Sequence, residues 1–256
     1  MRNILVSALL VIAASGCSSG LTTDESTVFP YQISESASDR AAINKVVIAT
    51  VNYGQDSPSY IRDHETRVDA EISRYMEDNG FSVLTGNQFD SIWSRNKDKF
   101  GEYFDPTQGV FRRERFNQIL ATTIEELKET HGVGAVVFTD LLVDKVVFDF
   151  RSPHYASWHG VKRKPRLKGG QGVSSTYNWA KSFRASSLSI VVFRTDKEFI
   201  FRGVGGIEMV DHMSVKSTTP TAVRSKTLFN DKSKLNEGMR LAFHPLIPMK
   251  NYPGDQ

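Results

Sequence analysis

The feature that most constrains the fold is an alternation of strand-like and helix-like periodicity through the first half of the chain. Lys45 to Val51 (KVVIATV) is a β-branched run with strand character. Beyond Asn52-Tyr53-Gly54, a helix is expected from a cap at Asp63 to Asn79, with Val68, Ile72, Tyr75 and Met76 on one face. Asn79-Gly80 stops it, and Phe81-Ser82-Val83-Leu84 is a second, short strand. Asn87 is placed to cap a short helix carrying Phe89, Ile92 and Trp93, before a polar, turn-rich segment from Lys97 to Gly109. The clearest helix runs from Arg112 to Thr130, where Phe116, Ile119, Leu120, Ile124 and Leu127 recur at helical spacing and His131-Gly132 closes it. Gly134 to Leu142 (GAVVFTDLL) is the third strand, which Val146 to Phe150 continues or pairs with. Strand, helix, strand, helix, strand predicts an α/β (α+β) fold, a mixed β-sheet with helices packed on it.

The second half adds a hairpin and a helix. Leu188 to Arg194 and Glu198 to Val204 predict a β-hairpin turning at Thr195-Asp196-Lys197, extended by Ile207 to Val210. Gly203-Val204-Gly205-Gly206 superficially resembles a phosphate loop. A strand rather than a helix follows it, so a bulge or sharp bend is the expected use of those glycines. Asp231 to Phe243 predicts the C-terminal helix, stopped near Pro245. Beyond residue 40 no segment has linker composition. One domain over 41–250 is expected, carrying a basic insertion at 151–187.

Residues 1–16 read as an export signal. Arg2 gives a positive start, Ile4 to Ala14 is apolar except for Ser7, and Ala14-Ser15-Gly16 places small residues before Cys17, the single cysteine. Ala14-Ser15-Gly16-Cys17 resembles the lipobox of bacterial lipoproteins. That resemblance implies lipid on the Cys17 thiol, cleavage before it and acylation of the new amine. The chemistry needs a cysteine because a thiolate is the nucleophile that takes the lipid. The alternative is an ordinary secretory signal with a free thiol. In a Gram-negative host Ser18, in place of the aspartate common in retained lipoproteins, implies the outer membrane and its periplasmic side. In a Gram-positive host the address is the cell membrane. Residues 17–40 then form the lipidated Cys17 and a Ser- and Thr-rich flexible tether, within which Val28-Phe29-Pro30-Tyr31 has the character to dock on the domain. With Cys17 lipidated, no disulfide or thiolate metal site is available. The 240 remaining residues, with 16 Phe in the whole chain, must be stabilised by their core.

The net charge of +3 hides an asymmetry. Arg151 to Thr195 holds nine Lys and Arg and no Asp or Glu, interleaved with Tyr155, Trp158, Tyr177, Trp179 and Phe183. Such a segment suits an anionic partner: lipid phosphate, peptidoglycan carboxylate, anionic glycan or an acidic envelope protein. The export signal argues against nucleic acid. Lys162, Arg163, Lys164, Arg166, Lys168 and Trp158 are the candidate binding residues. The alternative is a solvated hairpin whose aromatics pack on the domain. No HExxH, GxSxG or metal-ligand spacing occurs, and no cofactor or metal is expected. His154 and His159 lie among cations that disfavour a metal. Asp63-His64-Glu65 reads as helix-start chemistry. Asp140 and Asp144 lie near a strand end, where two carboxylates without a base or nucleophile define no reaction.

The run Lys45 to Leu142 also resembles the α/β domain of several envelope lipoproteins: the curli-secretion family, the N-terminal domain of TolB, and LpoB-type activators of peptidoglycan synthases. The features that carry this are KVVIATV, FSVL after Gly80, and a helix running through Gly132-Val133-Gly134 into Ala135-Val136-Val137. Thr85-Gly86-Asn87 and the basic segment depart from that pattern. With an anchor and no catalytic constellation, the expected role is a non-enzymatic binding or adaptor module in envelope assembly or maintenance. A subunit of an oligomeric secretion assembly, which the curli-type resemblance implies, is one alternative, weakened by the poor alternation of Leu188 to Val210. An envelope hydrolase or transferase is the other.

Overall fold

The computed structural model describes residues 31–34, 43–52, 57–149, 154–169, 173, 177, 179, 181–216 and 220–253. The expected export signal at 1–16, the expected lipidation site Cys17 and the expected tether up to Pro30 lie outside the described residues. In chain order the elements are β1 (Gln32–Ile33), β2 (Lys45–Ala49), α1 (Ser59–Arg62), α2 (Glu65–Asp78), β3 (Ser82–Leu84) and α3 (Gly86–Phe100). β4 (Phe104–Asp105), β5 (Val110–Phe111), α4 (Arg113–His131) and β6 (Ala135–Val146) follow. Then come β7 (Ala156–Trp158), β8 (Val161–Arg163), β9 (Leu167–Lys168), β10 (Phe183–Arg194), β11 (Phe199–Met209), β12 (Asp211–Ser214), β13 (Thr221–Arg224) and α5 (Lys232–Phe243).

Six strands make the main sheet in the order β1-β11-β10-β6-β2-β3. β3, β2 and β6 are parallel, because helices carry each return crossing. β6, β10, β11 and β1 are antiparallel, because β10 and β11 are joined by a tight hairpin turn. The sheet is therefore mixed, with helices on both faces. Alternation along β6 sends Ala135 and Val137 one way, where α2 and α5 bring Val68, Ile72, Met76, Leu235 and Met239. Val136 and Phe138 point the other way, to Phe89, Trp93, Ile119 and Leu127 of α3 and α4. A third apolar cluster at the far end joins Trp158, Phe183, Met209, Met213, Val215 and Tyr252.

Gly132 closes α4 at φ 63°, and the Val133 N–H reaches back to the Leu127 carbonyl at 3.5 Å, a left-handed stop that favours glycine. Other boundaries differ from expectation. His64 rather than Asp63 precedes α2, because Ser59–Arg62 forms its own helical turn that ends at Asp63. α3 continues to Phe100, since Phe100 still packs on the apolar layer formed with α4. The strand expected over Gly134 to Leu142 continues to Val146 as β6, whereas Val147 to Asp149 belong to no strand. β10 begins at Phe183, inside the segment expected to be an insertion, where Phe183 pairs with Val146 and Ala185 with Asp144. The glycines of β11 mark a close approach: a Cβ at Gly203 would lie 2.2 Å from the Ala242 carbonyl oxygen, and one at Gly205 2.1 Å from that of Gly238. The backbone of α5 lies directly on β11 there.

Of Val28-Phe29-Pro30-Tyr31, expected to dock, only Tyr31 lies among the described residues; it and Gln32 to Ser34 lie against the domain. Gln32 and Ile33 pair with Arg202 and Phe201 at the open edge of β11, and the Ser34 N–H donates to the Ile200 carbonyl at 2.9 Å. The Tyr31 ring meets His244 and Tyr252 edge-on, with centroids 5.8 and 6.1 Å away.

Candidate functional site

The basic segment divides into a clamp and an open surface. β7 and β8 form a hairpin whose turn residues, His159 and Gly160, both have positive φ, 36° and 89°. Paired positive φ values match the right-handed twist of a two-residue hairpin. His159 occupies its position without glycine's freedom because its surroundings hold it. Its carbonyl accepts the Gly206 N–H at 2.7 Å, and its Nδ1 lies 2.8 Å from the Ser187 hydroxyl. Trp158 corrects its assignment as a partner-binding residue: it is 4% exposed, and its indole N–H donates to the Ser186 carbonyl at 3.2 Å. Arg163 is likewise a clamp. It donates to the Ile207 carbonyl at 3.1 Å and meets Glu237 of α5 at 2.6 Å. The acids missing from residues 151–195 thus arrive from elsewhere in the chain.

The remaining candidates stay accessible. Lys162 and Lys164 stand over the Tyr155 ring at 4.7 and 5.4 Å from its centroid. Arg166 pairs at 3.1 Å with Glu208, which is 2% exposed, while its own side chain stays 40% exposed. Burial raises the Glu208 carboxyl above its ordinary range, and the Phe229 N–H and Arg166 oppose that shift. Lys168 is exposed on β9. The neighbouring strand β12 adds residues that the sequence reading did not single out. β9 runs parallel to β12, with Met213 opposite Leu167 and Ser214 opposite Lys168. β13 runs antiparallel on the other side, with His212 opposite Val223 and Ser214 opposite Thr221. Arg166, His212 and Val223 therefore form one row on the outer face, and Lys168, Ser214 and Thr221 the next. Lys216 extends this face, its side chain lying over the position a Gly169 Cβ would take, at 3.0 Å. Burial, then Lys168 and Arg166, push the His212 pKa down, so both cations sit within its field. The period-two sequence Asp211-His212-Met213-Ser214-Val215-Lys216, apolar or paired inward and polar outward, was the available signal.

Ser187, His159 and Asp144 also come together. The Ser187 hydroxyl donates to Asp144 Oδ2 at 2.8 Å, and His159 Nδ1 lies 3.5 Å from the same oxygen. A nucleophile–base–acid relay needs the two ring nitrogens to face different partners. Here one nitrogen faces both, and Ser187 is fully buried. The cluster clasps the β7–β8 turn to β6 and β10. Burial lowers the His159 pKa, with Asp144 opposing it.

At the carboxyl ends of the parallel strands, where α/β sheets commonly bind ligands, Thr50 donates to Asp90 and Thr139 donates to Asp69 at 2.7 Å. Burial raises the Asp69 pKa to about 6; Glu65 and Asp140 add to this and the Thr139 hydroxyl opposes it. Asp140 is 4% exposed. Among the described residues no three His, Cys, Asp or Glu side chains are grouped to hold a metal ion. An apolar cavity of about 320 Å³ lies between α4 and the sheet, lined by Leu120, Ile124, Phe138 and Phe193 with Lys197 at its edge. Among the described residues no helix is long and apolar enough to cross a membrane.

Compared with known proteins, the chain matches no family model and no curated sequence.

Proposed function

We propose that this chain is a lipid-anchored binding module of the bacterial cell envelope, held at the outer membrane through Cys17 and facing the periplasm. Its role is that of an adaptor in envelope assembly or maintenance. The observation that carries the reading is Ala14-Ser15-Gly16-Cys17, which follows an apolar export signal and contains the single thiol of the chain. The docked edge strand supports it. Thirteen residues, Ser18 to Pro30, separate Cys17 from Tyr31. Fully extended they reach about 45 Å, so the domain stays within roughly its own diameter of the surface. Confinement of that kind raises the effective concentration of the domain for neighbouring partners without any new contact. The accessible cations Lys162, Lys164 and Lys168 give such a module an anion-facing surface.

Metabolic labelling with palmitate tests the anchor. The native chain is expected to incorporate label and Cys17→Ser to incorporate none; labelling that persists in the variant would refute the assignment. Crosslinking in intact cells then identifies the partner.

A further inference from the structure

Two surfaces come close together at one end of the molecule. The first is the outer face of the small sheet β9-β12-β13. It presents Arg166, Lys168, Lys216 and His212 around the hydroxyls of Ser214 and Thr221. Of the acids nearest this face, Glu208 is engaged with Arg166 of the face itself and with the Phe229 N–H, and Asp211 with the guanidinium and backbone N–H of Arg184, which leaves Lys168 and Lys216 as its open cations. The second surface is where the tether leaves the domain. Tyr31 packs on Tyr252, and Tyr252 belongs to the same apolar cluster as Met213 and Val215. Met213 and Val215 are the inward neighbours of His212, Ser214 and Lys216. Tyr31, the first described residue of the tether segment, therefore lies against the apolar cluster that underlies the cationic face.

We infer that the outer face of β9-β12-β13, formed by Arg166, Lys168, His212, Ser214, Thr221 and Lys216, binds the phosphates of anionic phospholipids in the membrane to which the chain is tethered. The chemistry fits. Lys168 and Lys216 supply charge, the half-exposed Arg166 supplies the guanidinium donors that Glu208 leaves open, and two hydroxyls supply short donors between the cations. A three-stranded face with several donors side by side also meets more than one headgroup phosphate at once, which a single phosphate would not require. Acyl chains combined with a cationic patch are two independent membrane signals that act together. The face would fix how the domain lies on the membrane. It would leave the β7–β8 hairpin, with Lys162 and Lys164, to other partners. This inference rests on the proposed anchoring for its membrane, but not for its binding chemistry.

The test uses the chain from Ser18 to Gln256, which keeps every described residue and carries no lipid. Sedimentation with vesicles of phosphatidylcholine alone, or with about one-third phosphatidylglycerol, reads binding. The expected result is salt-sensitive binding to the anionic vesicles only. Lys168→Glu with Lys216→Glu should weaken it at least about 25-fold, at about five-fold for each charge lost. Arg166 is left in place because its loss would strand the buried Glu208. Circular dichroism of the double variant confirms that it is folded; should it not be, Lys168→Gln with Lys216→Gln serves in its place, with a loss of about 25-fold expected. Equal binding to both vesicle types would overturn the inference, as would undiminished binding by the folded variant. Binding to inorganic phosphate without binding to vesicles would also overturn it. Absence of lipid on the native Cys17 would defeat the anchoring proposal while leaving this vesicle result standing.

Discussion

At the scale of single residues, buried ionisable groups decide how the domain responds to pH and substitution. Asp69 is the clearest case, with its pKa raised to about 6 from an ordinary 3.8. Between those values the folded chain holds a proton that the unfolded chain has released. Stability from this group is therefore fully present below about pH 4 and is lost as pH rises through about 6. Asp69→Asn should flatten that part of the profile and raise stability at pH 7–8 by on the order of 1–3 kcal/mol. Urea unfolding at stepped pH measures it, and an unchanged slope would count against the burial argument. Arg184 and Asp211 make the opposite case. Arg184 Nη2 lies 2.6 Å from the carboxylate of Asp211, whose side chain is 5% exposed. Arg184→Ala leaves that charge without its guanidinium and should cost about 3 kcal/mol. Lys162→Ala, over an open tyrosine ring, should cost about 0.5 kcal/mol or less. Equal losses for the two in denaturant titrations would show that the Arg184 pair is not a buried anchor.

At the scale of elements, the contact between α5 and β11 locks the sheet to its C-terminal helix. Gly205→Ala places a methyl 2.1 Å from the Gly238 carbonyl oxygen, a clash only backbone movement relieves. A loss of about 3 kcal/mol or more is expected, read from the urea midpoint, whereas a near-neutral result would mean α5 is not seated there. The helices and parallel strands were legible in the sequence because their periodicity is long: Phe116 to Leu127 and Val68 to Met76 repeat over several turns. The start of β10 was not. Ser186 and Ser187, just ahead of the strand expected from Leu188, read as loop, yet both are buried. Ser186 is satisfied by the Glu208 carbonyl and Ser187 by Asp144, partners 22 and 43 residues away. β12 escaped for a related reason. Its period-two run from Asp211 to Lys216 is brief and easily passed over, and the acids that neutralise Arg163 and Arg166 lie on α5 and β11. Local composition therefore located the cations, but only tertiary contacts separate Arg163 and Trp158, which clamp, from Lys162, Lys164 and Lys168, which remain open.

At the scale of the whole molecule, the proposed role is that of a domain working beside a membrane surface. The mixed α/β sheet is closed on both faces by helices, so its stability draws on the core rather than on a disulfide. Its open edge at β11 is taken by Tyr31 to Ser34, the end of the segment that leads back to Cys17. That strand places Tyr31 against the apolar cluster that underlies the cationic face of β9 and β12. The central claim is that this segment ends in lipid. Intact-mass analysis of the chain purified from its own membranes tests it most directly. The account predicts a polypeptide beginning at Cys17, heavier than its sequence by a diacylglyceryl group and an amide-linked acyl chain. A chain that begins elsewhere, or that begins at Cys17 with an unmodified thiol, would contradict it.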